Sequence, residues 1–193
     1  MKKLLFLPLM ALFGVAALTP VIYKVDPSSS VVVWKGYKVT GEHTGTVKLK
    51  NGELQFTDGK LTGGSFEVDM TTITCTDLEG ATAAKLVGHL KSDDFFGVQQ
   101  HPLARFVITK AFPVDTKGNY RIAGDLTIKG ITKEIKFNAA VSDSGNQVKA
   151  TGKITIDRTE FNVRYGSGSF FDNLGDKTIY DEFDLNVTVV AKK

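Results

Sequence analysis

Val148-Lys149-Ala150-Thr151-Gly152-Lys153-Ile154-Thr155-Ile156 alternates without a break: each even position is apolar or small, each odd one polar. Successive side chains of an extended chain point to opposite faces, so this pattern is a strand with one face buried and one in water. The same period recurs on both sides of it. Downstream, Phe183, Leu185, Val187 and Val189 oppose Asp184, Asn186 and Thr188. Upstream, Ile135, Phe137, Ala139 and Val141 share a face, and Phe106 and Ile108 repeat the pattern more weakly. Thr46-Val47-Lys48-Leu49-Lys50 and Phe66-Glu67-Val68-Asp69-Met70 extend it towards the N-terminus.

Turn signals separate the runs: Asn51-Gly52, Asp58-Gly59, Lys117-Gly118-Asn119, Lys129-Gly130 and Ser144-Gly145-Asn146. Gly and Asn tolerate the positive φ of tight hairpins. Strands joined by short turns are antiparallel neighbours, which makes the chain all-β, a sandwich or an up-and-down barrel. About eight strands are expected, enough for a closed barrel that holds one ligand.

Residues 76–102 break the pattern. Ala83, Leu86, Val87 and Leu90 repeat at helical spacing, which predicts one short helical insertion over 81–90. Ser92 and Asp93 are expected to cap a second short turn carrying Phe95 and Phe96, and Pro102 to end it. One helix inserted into an all-β chain closes a barrel end or gates a cavity.

The chain has 193 residues, one domain's worth. It begins Met1-Lys2-Lys3, continues with an apolar run from Leu4 to Leu18, and carries the small residues Val15-Ala16-Ala17 near its end. That order is a secretory signal, expected to be cleaved after Ala17, so 1–17 is a signal peptide and 21–192 the working domain. The alternative, a retained anchor, needs roughly 20 apolar residues, whereas this run is shorter and Pro8 interrupts it. The expected location is periplasmic or secreted. Taking Lys2 and Lys3 from 24 basic side chains leaves 22 against 21 acidic ones, with no basic stripe, so nucleic acid is not an expected partner. Cys75 is the single cysteine and is expected to pack as a small apolar residue.

No catalytic constellation emerges. His43, His89 and His101 are far apart, and none has a second ligand at helical or strand spacing, so no metal is expected. Hydrogen-bonded histidines, or a polar group at a pocket mouth, fit them better. Gly166-Ser167-Gly168-Ser169 lacks the frame of a nucleophile elbow. Asp157 and Glu160 flank Arg158, which reads as a surface or rim ion pair, with an anionic ligand head as the minority alternative. Thirteen phenylalanines are more informative, because several gather beside the helical insertion. Trp34, Phe66, Leu86, Leu90, Phe95, Phe96 and Phe106 either line an apolar tunnel or pack the helix onto the barrel. The residues alone leave these two open. A tunnel places His43, His89 and Arg158 as candidates for its polar mouth.

The string His89-Leu90-Lys91-Ser92-Asp93-Asp94-Phe95-Phe96, followed by His101-Pro102-Leu103-Ala104-Arg105-Phe106, closely resembles the hallmark of the YceI-like, polyisoprenoid-binding family. Gly41-Glu42-His43-Thr44-Gly45, the hairpin from Gly124 to Lys133, and Ile156-Asp157-Arg158-Thr159-Glu160-Phe161 resemble three further family segments in the right order. The resemblance implies a lipocalin-like barrel, usually periplasmic or secreted, that holds an elongated isoprenoid chain. It implies binding or transport rather than catalysis, and no cofactor. The partner it implies is an isoprenoid or other lipophilic small molecule of polyprenyl or quinone type, with transient contact to a membrane surface. A homodimer is left open. The competing functions are an enzyme acting on a lipophilic substrate through His43, His89 or Arg158, and a structural β-domain with a filled core.

Overall fold

The computed structural model describes residues 19–193, so the expected signal peptide lies outside the described residues. The alternating segments form strands β1 (Val21–Val25), β2 (Val31–Lys38), β3 (Gly41–Thr57), β4 (Lys60–Asp69), β5 (Leu103–Pro113), β6 (Asn119–Ile128), β7 (Ile131–Asp143), β8 (Gln147–Asp157) and β9 (Ile179–Lys192). From β2 to β9 each strand pairs antiparallel with the next in the chain, and β9 returns to β2, so the sheet closes on itself. β1 and β2 both lie between β3 and β9, broken at residues 26–30 where the Asp26 carboxylate accepts from Ser28 and Ser29. They form one interrupted stave. The fold is therefore a closed up-and-down antiparallel barrel of eight staves, lipocalin-like, with a single helix α1 (Gly80–Lys91).

Closure follows from the sequence in simple steps. The hairpins β3–β4 and β6–β7 turn at Asp58-Gly59 and Lys129-Gly130, where all four residues have positive φ. That backbone matches the strand twist and keeps the hairpins tight. The apolar parity of each strand then faces the lumen, and the polar parity faces water.

Two local expectations are corrected. Asn51-Gly52 is not a turn but a bulge inside the 17-residue β3, where the register to β4 slips between Leu49 and Asn51. The parity of the chain carries the sign of it: Val47 and Leu49 point inward before the bulge, Leu54 and Phe56 after it. An extra residue in one strand shifts the inward set by one. A Cβ at Gly52 would lie 2.7 Å from the Ser65 carbonyl, which fixes glycine there. Ser92, expected with Asp93 to cap a second short turn, instead ends α1, while the turn carrying Phe95 and Phe96 is there: the Ser92 N–H and Oγ both reach the His89 carbonyl (3.0 and 2.8 Å). Residues 92–96 are a turn, and the Asp93 carbonyl accepts from Lys129 Nζ at 2.8 Å.

On the outer face, the buried Asp184 ties three strands together. It accepts from Tyr37 Oη (2.7 Å), Thr155 Oγ1 (2.7 Å) and Lys153 Nζ (2.9 Å). The Lys153 ammonium and then the Thr155 hydroxyl hold its carboxyl down at about 2, from an ordinary 3.8. A carboxyl depressed by folding stabilises above its unfolded pKa and loses that contribution as pH falls through the folded value. Asp184→Asn is therefore expected to be less stable than the wild type at neutral pH. The gap should close as pH drops from about 4 to about 2. Urea unfolding across that range checks it, and a pH-independent gap would refute the assignment.

Candidate functional site

The barrel has two unlike ends. Among the described residues, the connections at one end are short, 58–59, 114–118 and 144–146. Here Tyr23, Phe56 and Tyr120 are buried: Tyr23 and Phe56 pack edge to face at 5.4 Å, and Tyr120 Oη accepts from the Leu61 N–H. This end is closed by packed side chains. At the other end lie the two long connections, 70–102 and 158–178, the first carrying α1. We refer to it as the helix end.

Between them the lumen is not filled. It contains an inner cavity of about 120 Å³ and, under the helix end, an outer one of about 130 Å³. Val32, Val68, Leu126 and Leu185 line both. The inner cavity exists because the inward residues of β7 and β8 are small where they meet: Ala139 pairs with Gly152, and Val141 with Ala150. Its opposite wall is aromatic. Phe106 stacks on Phe66 (6.4 Å) and tilts against Phe137 (5.6 Å), with its ring over Gly124, where a Cβ would be 2.5 Å away. The outer cavity is roofed by Leu90, Phe95 and Phe96, and Phe96 also meets Phe183 at 6.4 Å.

The seven residues expected to line a tunnel divide as follows. Trp34, Leu90, Phe95 and Phe96 line the outer cavity, Phe66 and Phe106 the inner one. Leu86 lines neither; it is half-buried against the core, because α1 sinks only Leu90. The Trp34 indole N–H donates to the Thr74 carbonyl at 2.9 Å, which leaves its ring free to present an apolar face. Residues the sequence reading did not single out, among them Ile135, Phe137, Leu126 and Leu185, line the cavities as well. Their signal was the inward parity of the strands.

The three polar candidates do not converge. His43 Nδ1 sits 2.8 Å from Asp77 Oδ2, and the other Asp77 oxygen accepts from the Thr44 N–H (2.9 Å) and from Cys75 Sγ (3.2 Å). Burial pushes the Asp77 carboxyl up, but these donors outweigh it and bring it down to about 2. Burial, with this neighbouring carboxylate, raises the pKa of the half-buried Cys75 thiol above its ordinary value. This cluster pins the strip 73–77 along β3 and lines neither cavity. His89 lies on the last turn of α1 and meets the rings of Tyr165 (4.3 Å) and Phe95 (5.6 Å). It too is outside both linings.

Arg158 alone borders a cavity, and it is not the rim ion pair that its neighbours Asp157 and Glu160 suggested. It is 2 % exposed. Its Nε donates to the Tyr180 carbonyl (3.0 Å), and its terminal nitrogens to those of Val163 (2.8 Å) and Ile179 (2.9 Å). Its charge partner is Asp181 at 3.4 Å, while Asp157 caps the following turn through the Thr159 N–H. Burial pulls the guanidinium pKa down, and Asp181 and Asp157 oppose that. Among the described residues, no group of three His, Cys, Asp or Glu side chains is placed to hold a metal, and no helix is long and apolar enough to cross a membrane.

A closed eight-stave barrel with an apolar, partly empty lumen and a helical cap defines a lipocalin-like protein. A YceI-like domain model matches residues 23–191, and the chain belongs to that family. It is similar to a UPF0312 protein of Pseudomonas putida, 28% identical over 183 residues that cover 89% of this chain and 87% of that one. It is 35% identical to a UPF0312 protein of Shewanella denitrificans over 97 residues, 49% of this chain and 47% of the relative, so that match spans about half of the relative's length. Among solved structures it is similar to BcnA of Burkholderia cenocepacia, with a TM-score of 0.71 at 23% identity, covering 87% of this chain and 99% of that one. A polyisoprenoid binding domain from Saccharophagus degradans, implicated in plant cell wall breakdown, superposes with a TM-score of 0.61 at 12% identity, covering 88% and 97%. These likenesses establish the fold.

Proposed function

We propose that this protein binds and carries a long apolar molecule, an isoprenoid-like chain of polyprenyl or quinone type, in the barrel lumen. The observation that carries this reading is the pair of adjoining apolar cavities along the barrel axis, closed at one end and roofed by side chains from long connections at the other. A filled core would have put bulk where Ala139, Ala150 and Gly152 stand. The binding named for the S. degradans domain, a member of the same fold, agrees with it.

The energetics need no special chemistry. Each buried methylene contributes about 0.8 kcal/mol, so a chain of several isoprene units gains ample affinity from contact alone. Such a site needs few polar groups. An enzyme would need two of His43, His89 and Arg158 in the lumen. Only Arg158 borders it, and three of its N–H groups are already donated to backbone carbonyls.

Export supports the same role. The basic start, short apolar run and small residues of 1–17 favour delivery to the periplasm or exterior. At the helix end Tyr165, Phe170, Phe171 and Tyr180 are exposed, two apolar rings beside two amphipathic ones, a set that favours brief contact with a lipid surface.

Native mass spectrometry of the protein purified from its own host is expected to find an apolar adduct that organic solvent releases. Stripped protein should take up geranylgeraniol, read as a change in the fluorescence of Trp34, the single tryptophan, on the cavity wall. A protein that carries no adduct and takes up no prenol would end the carrier reading.

A further inference from the structure

The two cavities do not merge into a uniform tube. Where they meet, the lumen is crossed by one layer of side chains: Val32 from β2, Val68 from β4, Leu126 from β6 and Leu185 from β9. Inward residues drawn mostly from alternate strands stack as layers in other eight-stranded barrels, where they fill the interior. Here a single such layer stands between two spaces. All four residues are branched aliphatics, and valine is held to few rotamers. Val32 and Leu126 are buried at 4 % and 8 % exposure and belong to the continuous core.

Among the described residues, the end of the inner space away from the helix is packed. Tyr23, Phe56 and Tyr120 seal it beyond Leu54 and Ile122, and the Tyr23 hydroxyl is anchored at Asp143 and Gly145. The long connections and the roof of Leu90, Phe95 and Phe96 are all at the opposite end. A chain that enters from the helix end reaches Ala139, Ala150 and Gly152 by passing between the four aliphatic side chains.

We infer that Val32, Val68, Leu126 and Leu185 form a waist that admits a single apolar chain, and that the inner chamber behind it reads the length of that chain. The inference rests on the carrier reading and narrows it. The ligand is a single-tailed amphiphile whose polar end stays at the helix end, and whose tail threads the waist tip first. Short tails occupy the outer chamber alone. Tails long enough to cross gain the additional contact with the Phe66–Phe106–Phe137 wall. The waist residues set which molecules gain that contact, and the small residues of β7 and β8 set how much tail fits.

The test is a titration of Trp34 fluorescence with geraniol, farnesol, geranylgeraniol and solanesol. It compares the wild type with Val68→Phe, which narrows the waist, and Ala150→Leu, which fills the inner chamber. Both variants are expected to weaken geranylgeraniol and solanesol about a hundredfold and geraniol less than about threefold. Variants that bind the long prenols as the wild type does would overturn the waist and leave the carrier standing, because prenol binding itself persists. Equal losses for geraniol and geranylgeraniol would overturn it too. A wild type that binds no prenol brings down the carrier reading and the waist with it. Circular dichroism checks that each variant folds. If Val68→Phe does not, Ala150→Leu carries the length comparison from a different strand.

Discussion

Replacing Arg158 by Met is expected to lower unfolding stability by about 3–5 kcal/mol. The residue sits at 2 % exposure between the end of β8 and the start of β9. Its guanidinium is the donor for three backbone carbonyls, those of Val163, Ile179 and Tyr180, and the charge partner of Asp181. The methionine stem fills most of the volume and supplies none of these donors. Asp181 Oδ1 is buried and has no hydrogen bond besides its charge contact with Arg158, although Oδ2 accepts from Ser169 Oγ. Removing the guanidinium leaves three carbonyls without their donor and the buried Asp181 Oδ1 without its charge partner, the costly half of a buried pair. Arg158→Lys keeps the charge but places one ammonium where a planar fork reaches several acceptors, so it should recover part of the loss. Urea denaturation measures it as a lower midpoint with unchanged slope. A loss below about 1 kcal/mol would mean that water replaces the guanidinium and that the connection 158–178 is not held by it.

That network was invisible in the sequence for a definite reason. Asp157 and Glu160 are near Arg158 in the chain, and sequence proximity favoured them as partners. Two of the three acceptors, Ile179 and Tyr180, lie about twenty residues on, across a connection without periodicity, where only the folded path brings β9 back to the end of β8. The barrel itself was legible because its cause is local: alternation fixes which side chains turn inward, and the Gly turns fix direction. The bulge at Asn51-Gly52 marks where local reading stops, since its residues are those of a turn and only the pairing to β4 distinguishes the two.

The site was legible in proportion to how far strand parity governed it. Trp34, Phe66 and Phe106 lie on strands and border the cavities, together with unselected neighbours of the same parity. On the helix, spacing alone put Leu86 and Leu90 on one face, yet only Leu90 lines the lumen, while Leu86 is half-buried against the core. His43 and His89 failed as mouth candidates because Asp77, which holds the first, and Tyr165, which packs on the second, come from elements remote in sequence.

The roof gives the largest expected effect on binding. Phe96 lines the outer cavity between Phe95 and Phe183. Phe96→Asp puts a carboxylate where a bound tail must displace its water, and an unpaired charge facing an apolar chain costs several kcal/mol. Prenol affinity is expected to fall at least about a hundredfold. Lys91→Ala is the control from the same connection: that ammonium donates to the Thr71 carbonyl on the outside, so its loss should change affinity less than about threefold. Acid separates charge from shape. The cavity raises the pKa of the introduced carboxyl, so lowering the pH neutralises it, and binding should return towards the wild-type value. A loss that persists in acid would assign the effect to the missing ring, and an affinity unchanged at neutral pH would remove the roof from the path of the tail.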